Sequence, residues 1–283
     1  MSSTKSNTLR VPGATLSYEV RGSGPLLLLI AGGGNDRIVF HEIVGYLTDQ
    51  YTVVTYDRRG LSRSQLDNPG EEQRVEAHSD DAHRLLKALG SDYESAYVFG
   101  SSGGAIIGLD LVARHPGQVY TLVAHEPPTH LLPETDPIQE MKGIQDVYRH
   151  SGVMAALQAL FQLDGLDESG RDIVSELPAS IKDQIVKNTI FLFEHEVAMY
   201  DHYLLDFAAL ASATSQTRIV LAGGHDYQEA ATYLSAAAVA DRLGTDMVEF
   251  PGRHAGYVSN PRAFAHRLRE VLDERPAQVS QVL

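Results

Sequence analysis

The sequence predicts an α/β protein: a mostly parallel, doubly wound central sheet flanked by helices and interrupted once by a helical insertion. Three features predict it. Continuous apolar runs end again and again in glycine or polar residues, helical periodicity fills the gaps between them, and residues 129–216 carry helical patterns with no strand pattern. The expected organisation is a core of residues 1–128 and 217–283 with a helical cap over 129–216.

The first element departs from this form. "TLRVPGATLSYEVRG" (8–22) alternates apolar and polar residues around Pro-Gly, the pattern of a β-hairpin at a sheet edge. "PLLLLIAGGG" (25–34) is instead apolar throughout, as expected for a strand covered on both faces. "YTVVTYDRRG" (51–60), "YVFGSSGG" (97–104), "VYTLVAHEPP" (119–128), "TRIVLAGGHD" (217–226) and "DMVEFPGRH" (246–254) repeat it. Between the runs lie "FHEIVGYLTD", "SDDAHRLLKALG" with Ser79 or Asp80 as N-cap, "GAIIGLDLVARHPG", "YLSAAAVADRLG" and "PRAFAHRLREVL", all spaced as amphipathic or buried helices. "DPIQEMKGIQDVYRH", "VMAALQALFQL" and the long segment from Ser180 supply the helices of the insertion. The tail "ERPAQVSQVL" reads as a frayed end.

Composition narrows the function classes. A chain of 283 residues, 43% hydrophobic, can build a sizeable core. Its formal charge of −14, from 23 basic and 37 acidic residues, argues against nucleic acid or an anionic membrane as partner, since both need clustered Lys and Arg. Without cysteine there is no disulfide framework, thiolate nucleophile or zinc–cysteine site. The opening "MSSTKSNTLR" lacks the apolar core of a signal peptide, and no run nears the ~18 apolar residues of a membrane span, so a cytoplasmic protein is expected.

Chemistry enters at Gly100-Ser101-Ser102-Gly103-Gly104, where an apolar run breaks into a helix. A GxSxG pentapeptide is common by itself; between strand and helix it describes a sharp turn that projects its central side chain. The glycines fix the register: were Ser101 central, Phe99 would have to be glycine, so Ser102 is the candidate nucleophile. "AGGGND" (31–36) does not match the GxGxxG dinucleotide fingerprint, and no P-loop lysine follows either glycine cluster, so no cofactor is expected.

With these motifs the chain resembles the α/β-hydrolase superfamily over nearly its whole length. Gly32-Gly33-Gly34-Asn35 resembles the family's oxyanion loop, "YDRRGLSRS" its Asp-Arg-Gly-x-x-x-Ser turn, and "PGRHAGYVSNP" the segment that presents its histidine. The resemblance implies an α/β-hydrolase fold with an inserted cap. It disfavours the dehalogenase and epoxide hydrolase branches, which need aspartate where Ser102 stands.

A serine hydroxyl needs a base, and the base an orienting acid. His254 follows an apolar run in a glycine-containing loop and comes last in the order Ser, acid, His. His78, His83 and His266 lie in predicted helices and read as surface residues, and His125 reads as a pocket-lining candidate. Two acids remain open. Asp226 occupies the superfamily's usual place, while Glu126 ends the preceding run, and "SSGG…AHEPPT" is similar to the zearalenone-type lactone hydrolases, whose acid corresponds to Glu126. That similarity favours Glu126. The chain departs from the subgroup in having no tryptophan and in keeping an acid at 226, so substrate identity does not carry over. Oxyanion donors are expected from the Gly103 N–H and from Gly33 or Gly34, each donor worth ~3 kcal/mol in the transition state.

"EHEVAM" (194–199) begins like a zinc-protease helix, but Met199 stands where the second histidine belongs, so no metal is expected. The aromatic residues of the insertion, Phe191, Phe193, Tyr200, Tyr203 and Phe207, read first as helix packing; Tyr227 and Tyr257 flank the expected acid and base. The expectation is a cofactor-independent serine hydrolase acting on a small, fairly hydrophobic ester or lactone, with self-association into a homodimer left open. A carbon–carbon bond hydrolase, a perhydrolase or a non-catalytic ligand-binding scaffold are the alternatives.

Overall fold

Pro12 and Gly13 turn the chain between β1 (Lys5–Val11) and β2 (Ala14–Gly22), which pair antiparallel in full register from Lys5↔Val20 to Val11↔Ala14. The computed structural model in which this hairpin is seen describes residues 5–90, 95–163 and 177–274. The apolar runs form β3 (Leu26–Ile30), β4 (Thr52–Tyr56), β6 (Ala96–Ser101), β7 (Val119–His125), β8 (Arg218–Gly224) and β9 (Met247–Phe250), with a short β5 (Gln65–Leu66) beside β2. Their order is β1-β2-β4-β3-β6-β7-β8-β9. Every pairing from β4 through β9 is parallel, and only the hairpin and β5 run the other way.

Helices α1 (His41–Gly45), α2 (Val75–Leu89) and α3 (Gly103–Arg114) fall between strands. Between β7 and β8 come α4 (Pro137–Ser151), α5 (Val153–Leu163), α6 (Ala179–Phe191), a π-helical turn (Leu192–Glu196), α7 (Val197–His202) and α8 (Phe207–Ala213). Then α9 (Ala231–Leu243), α10 (Gly256–Ser259) and α11 (Pro261–Asp273) complete the alternation. Asp136 caps α4 by accepting from the N–H groups of Ile138 and Gln139, with Pro137 in the first turn where its missing N–H costs nothing.

Because successive strand residues point to opposite faces, the apolar runs fill two layers at once. Leu28, Ile30, Val54, Val98, Leu122 and Leu221 pack on one side with residues of α2, α3 and α9 such as Leu85, Ile107 and Val239. Leu27, Leu29, Val53, Phe99, Val123 and Val220 pack on the other with Ile43, Tyr257, Phe264 and Leu268 of α1, α10 and α11. Each such Leu, Ile or Phe contributes about 1.5–3 kcal/mol by leaving water, which is why a run without alternation is stable only here.

Two expectations about α2 are corrected. The helix starts at Val75, with no side-chain cap at Arg74, so Ser79 and Asp80 lie inside it. Burial of Val75 in the core extends the helix a turn beyond its polar signal. His78, expected at the surface, is buried on the same face, whereas His266 is exposed. The C-terminal tail beyond residue 274 lies outside the described residues.

The chain leaves β3 for β4 on one side and returns to place β6 on the other. In open parallel sheets the crevice beyond the carboxyl ends of two such strands is the natural ligand site, because their loops diverge. Here those ends carry the glycine loop after Ile30 and the serine turn after Ser101.

Candidate active site

Ser102 sits between β6 and α3 at φ 56°, ψ −123°. A non-glycine residue there stores roughly 1–3 kcal/mol of strain and persists only where its surroundings dictate it. They do. The Ser102 N–H donates to the His125 carbonyl at 2.8 Å, and the N–H of Ala105 returns to the Ser102 carbonyl at 2.8 Å. The flanking glycines are required by close approach: a β-carbon on Gly100 would lie 2.3 Å from the Gly104 carbonyl oxygen, and one on Gly104 2.2 Å from that of Ile30. The turn is thus wedged between β3 and β7.

Glu126, directly after β7, also adopts a left-handed backbone, φ 49°, and its N–H donates to the Ala222 carbonyl at 2.9 Å. This turns its carboxylate inward, where it is 1% exposed and accepts three hydrogen bonds. The Gly224 N–H reaches Oε1 at 2.8 Å, the Thr232 hydroxyl reaches Oε2 at 2.6 Å, and His254 Nδ1 lies 2.5 Å from Oε2. Burial alone would raise the carboxyl pKa, but the His254 charge and hydrogen bond, with lesser help from His125 and the Gly224 N–H, hold it down to about 2. Glu126 is therefore an anion at every ordinary pH. The other acid is elsewhere: Asp226 lies in a short 3₁₀ turn (His225–Tyr227) with an exposed side chain, and its backbone N–H holds the Gly252 carbonyl.

His125 is corrected as a pocket residue. It is fully buried among Phe99, Phe250 and Phe264, with ring centroids 5.5–6.2 Å away, and neither ring nitrogen has a hydrogen-bond partner among the described residues. Burial pushes its pKa down to about 4, Glu126 opposing and His254 adding to the shift. Since the unfolded chain takes up this proton near pH 6.5, the stability from keeping His125 neutral is complete above that pH. It is lost as pH falls through 4, by about 3 kcal/mol in all. Urea midpoints at pH 7 and pH 4 should therefore differ less in His125→Leu than in the wild type; equal differences would show that His125 carries none of the acid sensitivity.

The glycine loop is held from the insertion. Arg58, fully buried at the end of β4, donates to the Gly32 carbonyl at 2.7 Å and pairs with Glu196 of the π-helical turn, also fully buried. Burial works against the Arg58 charge, and the Glu196 carboxylate outweighs it, raising its pKa. Glu196 Oε2 in turn accepts from the Gly34 N–H at 2.7 Å. This corrects one expectation: the Gly34 amide is engaged by Glu196, whereas the Gly33 N–H has no protein acceptor among the described residues. Asn188 of α6 adds a second tie, donating to Asp36 and to Ser62.

Around these groups lies a cavity of about 440 Å³ whose walls include Gly33, Ser102, Gly103, His254 and, from the insertion, Leu157, Leu192 and Tyr200. Tyr227 and Tyr257 both reach it. Among the described lining residues, Asp36, Glu42, Glu140 and Glu229 are acidic and none is Lys or Arg. Of the other cap aromatics, Phe193 stacks on Tyr148 and the Tyr203 hydroxyl donates to Asp110, so these pack. Sequence reasoning missed Thr232, Arg58 and Glu196. "EHEVAM", weighed as a metal motif, contains Glu196; an arginine just past a continuous apolar strand was the available signal for its partner.

Known proteins of similar sequence share this fold. A profile of the α/β hydrolase fold family matches residues 25–147. The chain is 40% identical over 269 residues to the uncharacterized hydrolase YraK of Bacillus subtilis, covering 94% of this chain and 96% of that one. It is 30% identical over 128 residues to the zearalenone hydrolase of Bionectria ochroleuca, 44% of this chain and 48% of that one. Among solved structures, the enol-lactonase of Burkholderia xenovorans superposes with a TM-score of 0.73 at 21% identity, over 95% of this chain and 100% of that one. The chain belongs to the α/β hydrolase family and is a hydrolase.

Proposed function

We propose that the protein is a serine hydrolase that cleaves a small, largely apolar ester or lactone through an acyl-enzyme. The observation that carries this reading is the three-donor, buried Glu126 carboxylate on Nδ1 of His254, a histidine that lines the same cavity as the strained Ser102. An anion on Nδ1 fixes the proton there and leaves Nε2 as the basic atom. Ser102 Oγ attacks the carbonyl carbon as its proton passes to His254 Nε2, and the carbonyl π pair moves to oxygen. The N–H groups of Gly103 and Gly33 receive that charge. Collapse expels the alkoxide, which takes the proton from His254; water, deprotonated by the same nitrogen, then releases the acid and restores Ser102. The helical insertion serves as the lid of the site, and its leucines favour an apolar acyl or alcohol group.

The acidic lining adds a selectivity. An uncharged ester can enter, while a substrate with a free carboxylate meets four carboxylates and, among the described lining residues, no lysine or arginine. A panel of p-nitrophenyl esters and lactones, run on wild type beside Ser102→Ala, tests both parts. The expected result is turnover and a fluorophosphonate adduct at Ser102 in the wild type, neither in Ser102→Ala, and kcat/KM at least about tenfold lower for a succinyl monoester than for the butyryl ester. A folded wild type that binds the uncharged esters yet neither hydrolyses them nor labels would instead mark a binding protein.

A further inference from the structure

We propose that the Tyr200 hydroxyl, carried on α7 of the insertion, is a third hydrogen-bond donor to the substrate oxyanion beside the N–H groups of Gly33 and Gly103. This rests on the serine hydrolase reading above. Position is the first argument. A β-carbon built on Gly103 would lie 2.1 Å from the Tyr200 hydroxyl oxygen, and one built on Gly33 would lie 3.4 Å from ring carbon Cε2. The ring therefore spans the two glycines whose amides are the backbone donors, with its hydroxyl on the side next to Ser102. Tyr200 lines the same cavity as Ser102 and His254.

The second argument is the state of the hydroxyl. Tyr200 is 8% exposed and its hydroxyl has no hydrogen-bond partner among the described residues, although Arg58 and Glu196, the charged groups around it, are paired with each other. A buried hydroxyl left unpaired costs roughly 1–3 kcal/mol, which a substrate oxygen would offset on binding and more strongly once charged. Burial raises the phenol pKa, so the proton is present at any working pH.

Rigidity is the third. Glu196, one turn before Tyr200, is fixed to Arg58 and to the Gly34 N–H, so the helix carrying the tyrosine is tied to the oxyanion loop itself. A donor held this way needs no reorganisation as charge develops. The proton stays on the phenol; it only shares the charge that appears as the Ser102 Oγ–carbon bond forms.

Tyr200→Phe keeps the ring and removes the donor. With p-nitrophenyl butyrate we expect kcat to fall at least about tenfold with KM nearly unchanged. Affinity for an alkyl trifluoromethyl ketone, which forms the tetrahedral oxyanion adduct, should fall by a similar factor, and affinity for the matching methyl ketone should not. Tyr200→Met, which retains an apolar contact with Gly33 but no donor, should repeat the pattern. Wild-type kcat and trifluoromethyl ketone affinity in both variants would overturn the proposal while leaving the Ser102 chemistry intact. Equal losses for both ketones would assign Tyr200 to pocket shape and overturn it as well. Failure of the wild type to label at Ser102 or to hydrolyse the ester overturns both readings together.

Discussion

Glu126→Gln is expected to lower kcat by about four orders of magnitude, while Asp226→Asn leaves it within about twofold. Both carboxylate oxygens of Glu126 face donors: Oε1 receives the Gly224 N–H, and Oε2 receives the Thr232 hydroxyl and His254 Nδ1. An amide presents one oxygen and one NH₂. If its oxygen faces His254, the NH₂ confronts the Gly224 N–H, a fixed backbone donor with nowhere to turn. If it is flipped, the NH₂ confronts Nδ1 and drives the imidazole proton onto Nε2, where it can no longer accept from Ser102. The first arrangement also leaves the buried Gly224 N–H unmatched, at roughly 1–3 kcal/mol of stability. Asp226, exposed on a 3₁₀ turn, has only its backbone N–H committed to the histidine loop, and asparagine keeps that. Steady-state kinetics on an uncharged ester decide the matter: loss of turnover in Asp226→Asn with Glu126→Gln active would reverse the assignment.

The same comparison shows what the sequence could and could not reveal. Continuous apolar runs announced the buried strands because a strand covered on both faces has no polar side to alternate with. The serine turn was legible because crowding at Gly100 and Gly104 forbids any other residue there, and such constraints write themselves into local sequence. Local pattern did not separate Glu126 from Asp226, which only the family resemblance ranked, since both follow parallel strands and it is the left-handed backbone of Glu126 that turns a carboxylate toward His254. Contacts across 138 positions, such as Arg58 with Glu196, leave no local pattern at all. Nor did periodicity extend α2 to Val75, because tertiary burial there overrides the capping preference of Ser79 and Asp80.

Arg58→Met should destabilise the fold by about 3–5 kcal/mol, because it strands the Glu196 carboxylate where it is fully buried from solvent. The single remaining donor to that carboxylate among the described residues is the Gly34 N–H, and one neutral hydrogen bond does not offset the desolvation of a full charge. Arg58→Met combined with Glu196→Leu should recover most of this loss, since buried ion pairs replaced by apolar side chains of similar volume are often neutral or stabilising. Turnover should not recover with it. The pair also holds the glycine loop, Arg58 by the Gly32 carbonyl and Glu196 by the Gly34 N–H, and both contacts vanish in the double variant. A loop misplaced by about 1 Å weakens every donor aimed at the oxyanion, at a cost of order a hundredfold in kcat. Urea midpoints and ester kinetics on the two variants therefore separate the roles. A stable double variant with wild-type kcat would mean that the loop keeps its shape unaided; one that stays both unstable and slow would mean that the pair is needed for folding first, with its effect on the loop secondary.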